Sequence, residues 1–173
     1  MGTDAVRIVP STVQIGGTSK GDLLAAVRDC GVRLNAAADA LFDDHRFTTL
    51  DRSRVIEIVV RSVADLGFQR GATYKELIAR ASALGWGECP LEVGPHLRLQ
   101  FLDQPEAPAG CRAATQRAPL GSITVASAPL DGDETPKGFY LMRFDGALWL
   151  RGYWSGADHV WSPDDVLLFD RVS

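Results

Sequence analysis

Cysteine is scarce: Cys30, Cys89 and Cys111 are the only three in 173 residues, odd in number and without a CxxC spacing. That argues against both a disulfide framework and a zinc ribbon, and it fits a reducing cytoplasm. Histidine is equally sparse. His45, His96 and His159 have no second His or Cys at metal-ligand spacing, so no metal is expected, and no other motif implies a cofactor. No apolar run approaches the roughly 18 residues of a membrane span. The opening MGTDAVRIVPSTVQIGG carries an acidic residue and a proline where a signal peptide needs a basic start and a long apolar stretch. Val6 stands where a myristoylation motif needs Ser or Thr. A basic excess is also missing. A formal charge of −4 and a pI near 5.3 give no electrostatic footprint for DNA or RNA, so nucleic acid and membrane are both disfavoured as partners.

The chain is not short of apolar residues. At 46% hydrophobic and 23% charged it can bury a real core, and 1–173 reads as a single domain with a mainly helical half, 1–86, and a mainly β half, 87–173. Val13-Gln14-Ile15 suits a short strand. Ser19 with Asp22 three residues on predicts a helix start, a helix from about Lys20 to Asp29, and Gly31 just past its end. Asn35 caps a second helix from Ala36 to about Asp43. Arg54 to Leu66 is ambiguous: its β-branched run suits a strand, but Glu57, Arg61 and Asp65 at i,i+4 favour a helix. Thr73-Tyr74-Lys75-Glu76 is a capping box opening a helix that runs to about Leu84 and stops at Gly85.

After Trp86 the period changes to two. Leu97, Leu99 and Phe101 read as a half-buried strand, Ser122 to Ser127 as a second and Val166 to Asp170 as the last. The strongest local signal is Gly138 to Trp154, two apolar runs hinged on Asp145-Gly146, a pair that readily takes the positive φ values of a type I′ turn. A two-residue loop sets Phe144 opposite Ala147, Met142 opposite Trp149 and Tyr140 opposite Arg151. One face then bears Phe139, Leu141, Leu148 and Leu150 and faces the main core. The other bears Tyr140, Met142, Trp149, Arg151 and Tyr153. The expected fold class is α+β: about four N-terminal helices followed by an antiparallel sheet of about five strands, strongly coiled or barrel-like.

The stretches GGTSKGDLL, GPHLRLQFLDQP and KGFYLMRFDGALWLRGY, about half the chain, resemble a family of small bacterial proteins with no assigned activity. The resemblance implies a bacterial cytoplasmic origin and carries over no catalytic residue.

Several constellations have a plain reading beside a chemical one. Gly17-Thr18-Ser19-Lys20-Gly21 matches GxSxG, but a nucleophile elbow needs a parallel sheet of βα units, and Ser19 reads better as a helix cap. Asp131, Asp133 and Glu134 lack the spacing of a calcium loop and read as a solvated turn. Helices at 54–66 and 73–84 suggest a winged helix-turn-helix, weakened by Glu76 near the start of the second, where phosphate contacts would fall. A small hydrolase or transferase using His159 or His96 is a further alternative. The leading reading is a non-catalytic cytoplasmic binding module. Tyr140, Trp149, Arg151 and Tyr153, bordered by His159 and Trp161, combine large apolar area with directional polar groups, as binding hot spots do. A guanidinium that stacks on rings and still presents its fork points to an anionic small molecule or an acidic peptide as partner. The plain alternative is a second core.

Overall fold

The computed structural model describes residues 9–108, 118–132 and 134–172. Seven strands form one mixed, curled sheet: β1 (Thr12–Ile15), β2 (Arg33–Leu34), β3 (Arg54–Ser62), β5 (Ile123–Val125), β6 (Gly138–Phe144), β7 (Ala147–Tyr153) and β9 (Val166–Asp170). Their spatial order is β1-β3-β9-β5-β6-β7-β2, and β4 (Ala72–Thr73) pairs with β8 (Val160–Trp161) in a separate ribbon. The helices are α1 (Lys20–Asp29), α2 (Ala36–Asp43), α3 (Tyr74–Ala83) and α4 (Val93–Gln100).

This corrects the expected fold class. The sheet has seven strands rather than about five and is mixed rather than antiparallel, since β2 runs parallel to β7 and β5 parallel to β9. Strands and helices are not segregated either: β1 to β4 lie among the first three helices, and α4 falls in the half expected to be β. The topology follows from the last strand, which enters between β3 and β5, antiparallel to one and parallel to the other. Local alternation says which side of a strand is buried, not which strand lies beside it.

Two elements were expected with the wrong period. Residues 54–62 form β3, with Ile56, Ile58 and Val60 buried on one face and Val55 and Glu57 exposed. A spacing of four is also a multiple of two, so Glu57 and Arg61 share a face in a strand as well as in a helix, and the β-branched composition decides. Asp65 belongs instead to the turn that follows, where its carboxylate accepts from Ser62 N at 3.2 Å and its own N–H donates to Ser62 Oγ at 3.0 Å. Conversely, Leu97-Leu99-Phe101 is no strand. Val93 and Leu97 lie on one face of α4 and are fully buried, Phe101 caps its end in the same core, and Pro95 sits in the first turn, where its missing N–H deprives no intrahelical bond. Gly94 lets this helix lie directly on β6, since a Cβ there would sit 2.8 Å from Phe139 Cβ.

Other local readings agree with the structure. Ser19 Oγ accepts from Asp22 N at 3.1 Å, Asn35 caps α2, and Thr73 and Glu76 complete their capping box. The hairpin register is as expected, Tyr140↔Arg151, Met142↔Trp149 and Phe144↔Ala147, with φ of 51° at Asp145 and 73° at Gly146. Phe139, Leu141 and Leu150 are fully buried in the main core, which also takes Val13, Ile15, Val27, Leu41, Phe47, Val93, Leu97 and Leu168. A second cluster under α3 joins Val63, Leu77, Ala81, Trp161, Leu167 and Phe169 on the opposite face of the sheet.

Both flanks of the sheet are finished by a carboxamide from a distant element. Gln100, at the end of α4, accepts from Gln14 N at 2.9 Å and donates to Gln14 O at 2.7 Å, as a neighbouring strand would. Beyond the two-residue β2, Asn35 does the same for β7: its Oδ1 accepts from Gly152 N and its Nδ2 donates to Gly152 O, both at 2.9 Å. The same Oδ1 accepts from Ala38 N at 2.9 Å as the helix cap.

Candidate functional site

The side of the hairpin away from the main core carries a continuous run of rings and guanidiniums, placed there by the alternation of β6 and β7. Arg151, two residues along β7, lies over Trp149 with its guanidinium carbon 5.2 Å from the ring centroid, and over Tyr140 at 5.8 Å. Arg33, the cross-strand neighbour of Trp149 on β2, lies over the same indole at 5.8 Å. Tyr140 then meets Tyr153 at 6.4 Å between centroids, Tyr153 meets Trp161 edge-on at 5.7 Å, and His159 meets Trp161 edge-on at 5.3 Å.

All six residues singled out in the sequence are therefore joined through ring contacts, but they divide by exposure. Tyr140 and Trp161 are buried, Tyr140 in a small cluster with Ala107 and Met142 and Trp161 under α3. Trp149, Arg151, Tyr153 and His159 are half-buried, so Trp149 is not enclosed by the chain. Burial raises the Tyr140 phenol above its ordinary value, with nearby Arg151 pulling the other way. Three polar atoms here lack a hydrogen-bond partner among the described residues while being shielded from solvent: Trp149 Nε1, Arg151 Nε and Trp161 Nε1.

The charges around Trp149 are one-sided. Arg28, Arg46, Arg143 and Arg171 each have a carboxylate within 3.5 Å. Among the described residues Arg33 and Arg151 have none in ion-pair reach. On the other side of the sheet Arg98 of α4 is fully buried and, among the described residues, is also without a carboxylate. Its donors go to neutral carbonyls, Gln104 Oε1 at 2.6 Å, Trp149 O at 3.4 Å and Phe101 O, and its Nε has no acceptor among the described residues. Burial first and nearby Arg143 second lower its pKa to about 10, so at neutral pH it stays charged. A buried cation is normally paired, which makes Arg98 unusual.

Sequence reasoning missed Arg33 and Arg98. Each sits in an element that was not foreseen: a two-residue strand too short to show a period, and a helix containing Gly94 and Pro95. It also missed a polar contact between α3 and two segments outside the strands. Tyr74 OH lies 2.8 Å from Glu88 Oε2 and 3.1 Å from Ser127 O, and burial pushes its phenol far above the ordinary range. One hydroxyl proton serves only one of those acceptors at a time.

The remaining candidates have structural roles. His96 is buried beside Glu92, with Nε2 3.3 Å from Oε2 but not aligned for a hydrogen bond. The Glu92 carboxylate is itself buried and ties two loops together by accepting from Gly16 N at 3.1 Å and Leu50 N at 2.9 Å. Neither His96 nor His159 has a nucleophile in hydrogen-bond reach among the described residues. His45 is exposed, 3.9 Å from Asp44. Asp131 holds Arg46 at 2.6 Å, and that hydrogen bond keeps its carboxyl below the usual range. Asp133 and Cys111 lie outside the described residues, and among those described no three His, Cys, Asp or Glu gather as a metal site would need. Because 54–62 is β3, the tandem of helices a winged helix-turn-helix needs is not there. No described helix is long and apolar enough to cross a membrane.

A cleft of about 400 Å³ opens at the far flank of the sheet, lined by Ser11, Thr12, Glu57, Val60, Arg61 and Arg171 among others. It shares no residue with the aromatic face, and Glu57 there is already paired with Arg171 at 3.5 Å. The chemistry at Trp149 is thus that of a surface rather than of this cleft. Comparison of the chain with protein-family models, curated proteins and solved structures finds no match in any of the three.

Proposed function

We propose that the protein is a non-catalytic binding module whose hairpin face takes an anionic small molecule or an acidic peptide. One observation carries this reading: two guanidiniums, Arg33 and Arg151, lie over one half-buried indole, that of Trp149, with no carboxylate partner among the described residues. A guanidinium stacked on a ring is held flat and keeps its N–H edge free, so it meets a carboxylate or phosphate with little loss of side-chain freedom. The aromatic run through Tyr140, Tyr153, His159 and Trp161 supplies the rigid backing for that edge.

The test is calorimetric titration of the full chain with inorganic phosphate, citrate and a hexaglutamate peptide at low salt. At least one is expected to bind saturably, Arg151→Ala is expected to weaken that binding about tenfold or more while leaving the denaturation midpoint close to wild type, and Trp149→Ala is expected to weaken it too. The reading fails if none of the three binds, or if Arg151→Ala binds as tightly as the parent.

A further inference from the structure

Resting on that reading, we infer that the Trp149 face is built for a dianion, one negative group per guanidinium, with Arg33 and Arg151 as the two forks. Both guanidinium carbons lie within 6 Å of one ring centroid, yet they come from different strands, β2 and β7. They are brought together by the only two-residue pairing that β2 makes with β7, Arg33 opposite Trp149 and Leu34 opposite Leu150. Two guanidiniums held on one indole present two forks to one ligand.

By contrast, Asp44 and Asp131 both face Arg46, and Glu106 faces Arg143 at 3.4 Å. At Trp149 no side chain among the described residues fills the role. Arg98 adds a third charge from behind. It touches the Trp149 carbonyl, is closed off from water and spends its donors on neutral oxygens. Its field therefore reaches the face through protein rather than through screening solvent. A single carboxylate engages one fork, whereas a ligand with two negative groups engages both. The chemistry is shared by a phosphate monoester and a dicarboxylate, which differ in how far apart the negative oxygens lie.

The deciding experiment is a titration of the full chain, at one ionic strength and pH 8, with acetate, inorganic phosphate and the dicarboxylates malonate, succinate, glutarate and adipate. Dianions are expected to bind at least tenfold more tightly than acetate. Arg33→Ala and Arg151→Ala are each expected to bring the dianion down to within about threefold of acetate while changing acetate binding far less. A phosphate preference means that the forks converge on one group, and a preference within the dicarboxylate series gives their separation. Circular dichroism of each variant establishes that it is folded. In the wild-type chain, acetate and every dianion binding equally would overturn the dianion inference and leave the anion reading intact. Binding of none of them would overturn the dianion inference, and binding of neither citrate nor hexaglutamate besides would overturn the anion reading too.

Discussion

Asn35 is where the structure makes its sharpest energetic claim, because one carboxamide does two separable jobs. It caps α2 through Ala38 N, and it replaces a strand along β7 by exchanging two hydrogen bonds with Gly152. Loss of a helix cap costs about 0.5–2 kcal/mol. Each of the two Gly152 bonds contributes roughly 0.5–1.5 kcal/mol net, and Gly152 is buried, so water is a poor replacement. Asn35→Ala is therefore expected to destabilise the fold by about 1.5–5 kcal/mol. Asn35→Ser separates the terms, since serine caps about as well as asparagine but is too short to bridge Gly152. It is expected to lose only the strand-like part, about 1–3 kcal/mol. Urea denaturation with a common m-value measures both. A serine variant as stable as wild type refutes the edge-bonding argument, and an alanine variant no worse than serine refutes the capping argument.

Three further expectations concern the core and its charges. Gly94→Ala places a Cβ about 2.8 Å from Phe139 Cβ, and overpacking of this kind is expected to cost roughly 1–3 kcal/mol; a neutral result would mean that α4 can lift off β6. Leu150→Ala, at a fully buried site where β7 faces the main core, is expected to lose roughly 2–5 kcal/mol, and a change near zero on denaturation would contradict the observed register. Burial lowers the pKa of His96, against the opposing pull of Glu92, so the unfolded chain takes up the proton first. Its contribution to stability is then complete above the ordinary histidine value near 6.5 and is lost as pH falls from there toward the lowered folded value. The wild-type denaturation midpoint should drop across that window more than the midpoint of His96→Gln, and parallel profiles would sink the assignment.

What could be read from the sequence was the chemistry of short segments. Ser19, Asn35 and Thr73 announced their helices because a cap acts within three residues, and Asp145-Gly146 announced its hairpin because turn and register are fixed by adjacent dihedrals. The aromatic face followed directly from that register. Arg33 could not have been assigned to it, since its place beside Trp149 depends on a parallel pairing between residues more than a hundred positions apart. The same holds for β9, whose neighbours β3 and β5 are chosen by the whole sheet. At 54–62 and 93–100 the local evidence was available but conflicted: evenly spaced charges in a strand, and Gly94 and Pro95 in a helix whose contact with Phe139 requires a residue without a side chain.

The carboxamides that close the sheet also set when its flanks become safe. Gln100 reaches Gln14 across 86 residues of chain, and Asn35 reaches Gly152 across 117. Neither closure can form until the intervening chain has been gathered in, and long-range contacts of this kind come at the slow end of folding. Until then β1 and β7 present open backbone donors and acceptors to any other extended chain. Protection against strand exchange is thus acquired late in folding, and it is surrendered whenever α4 or the start of α2 swings away. Self-association should accordingly follow transient opening of these two helices rather than any apolar patch on the native surface.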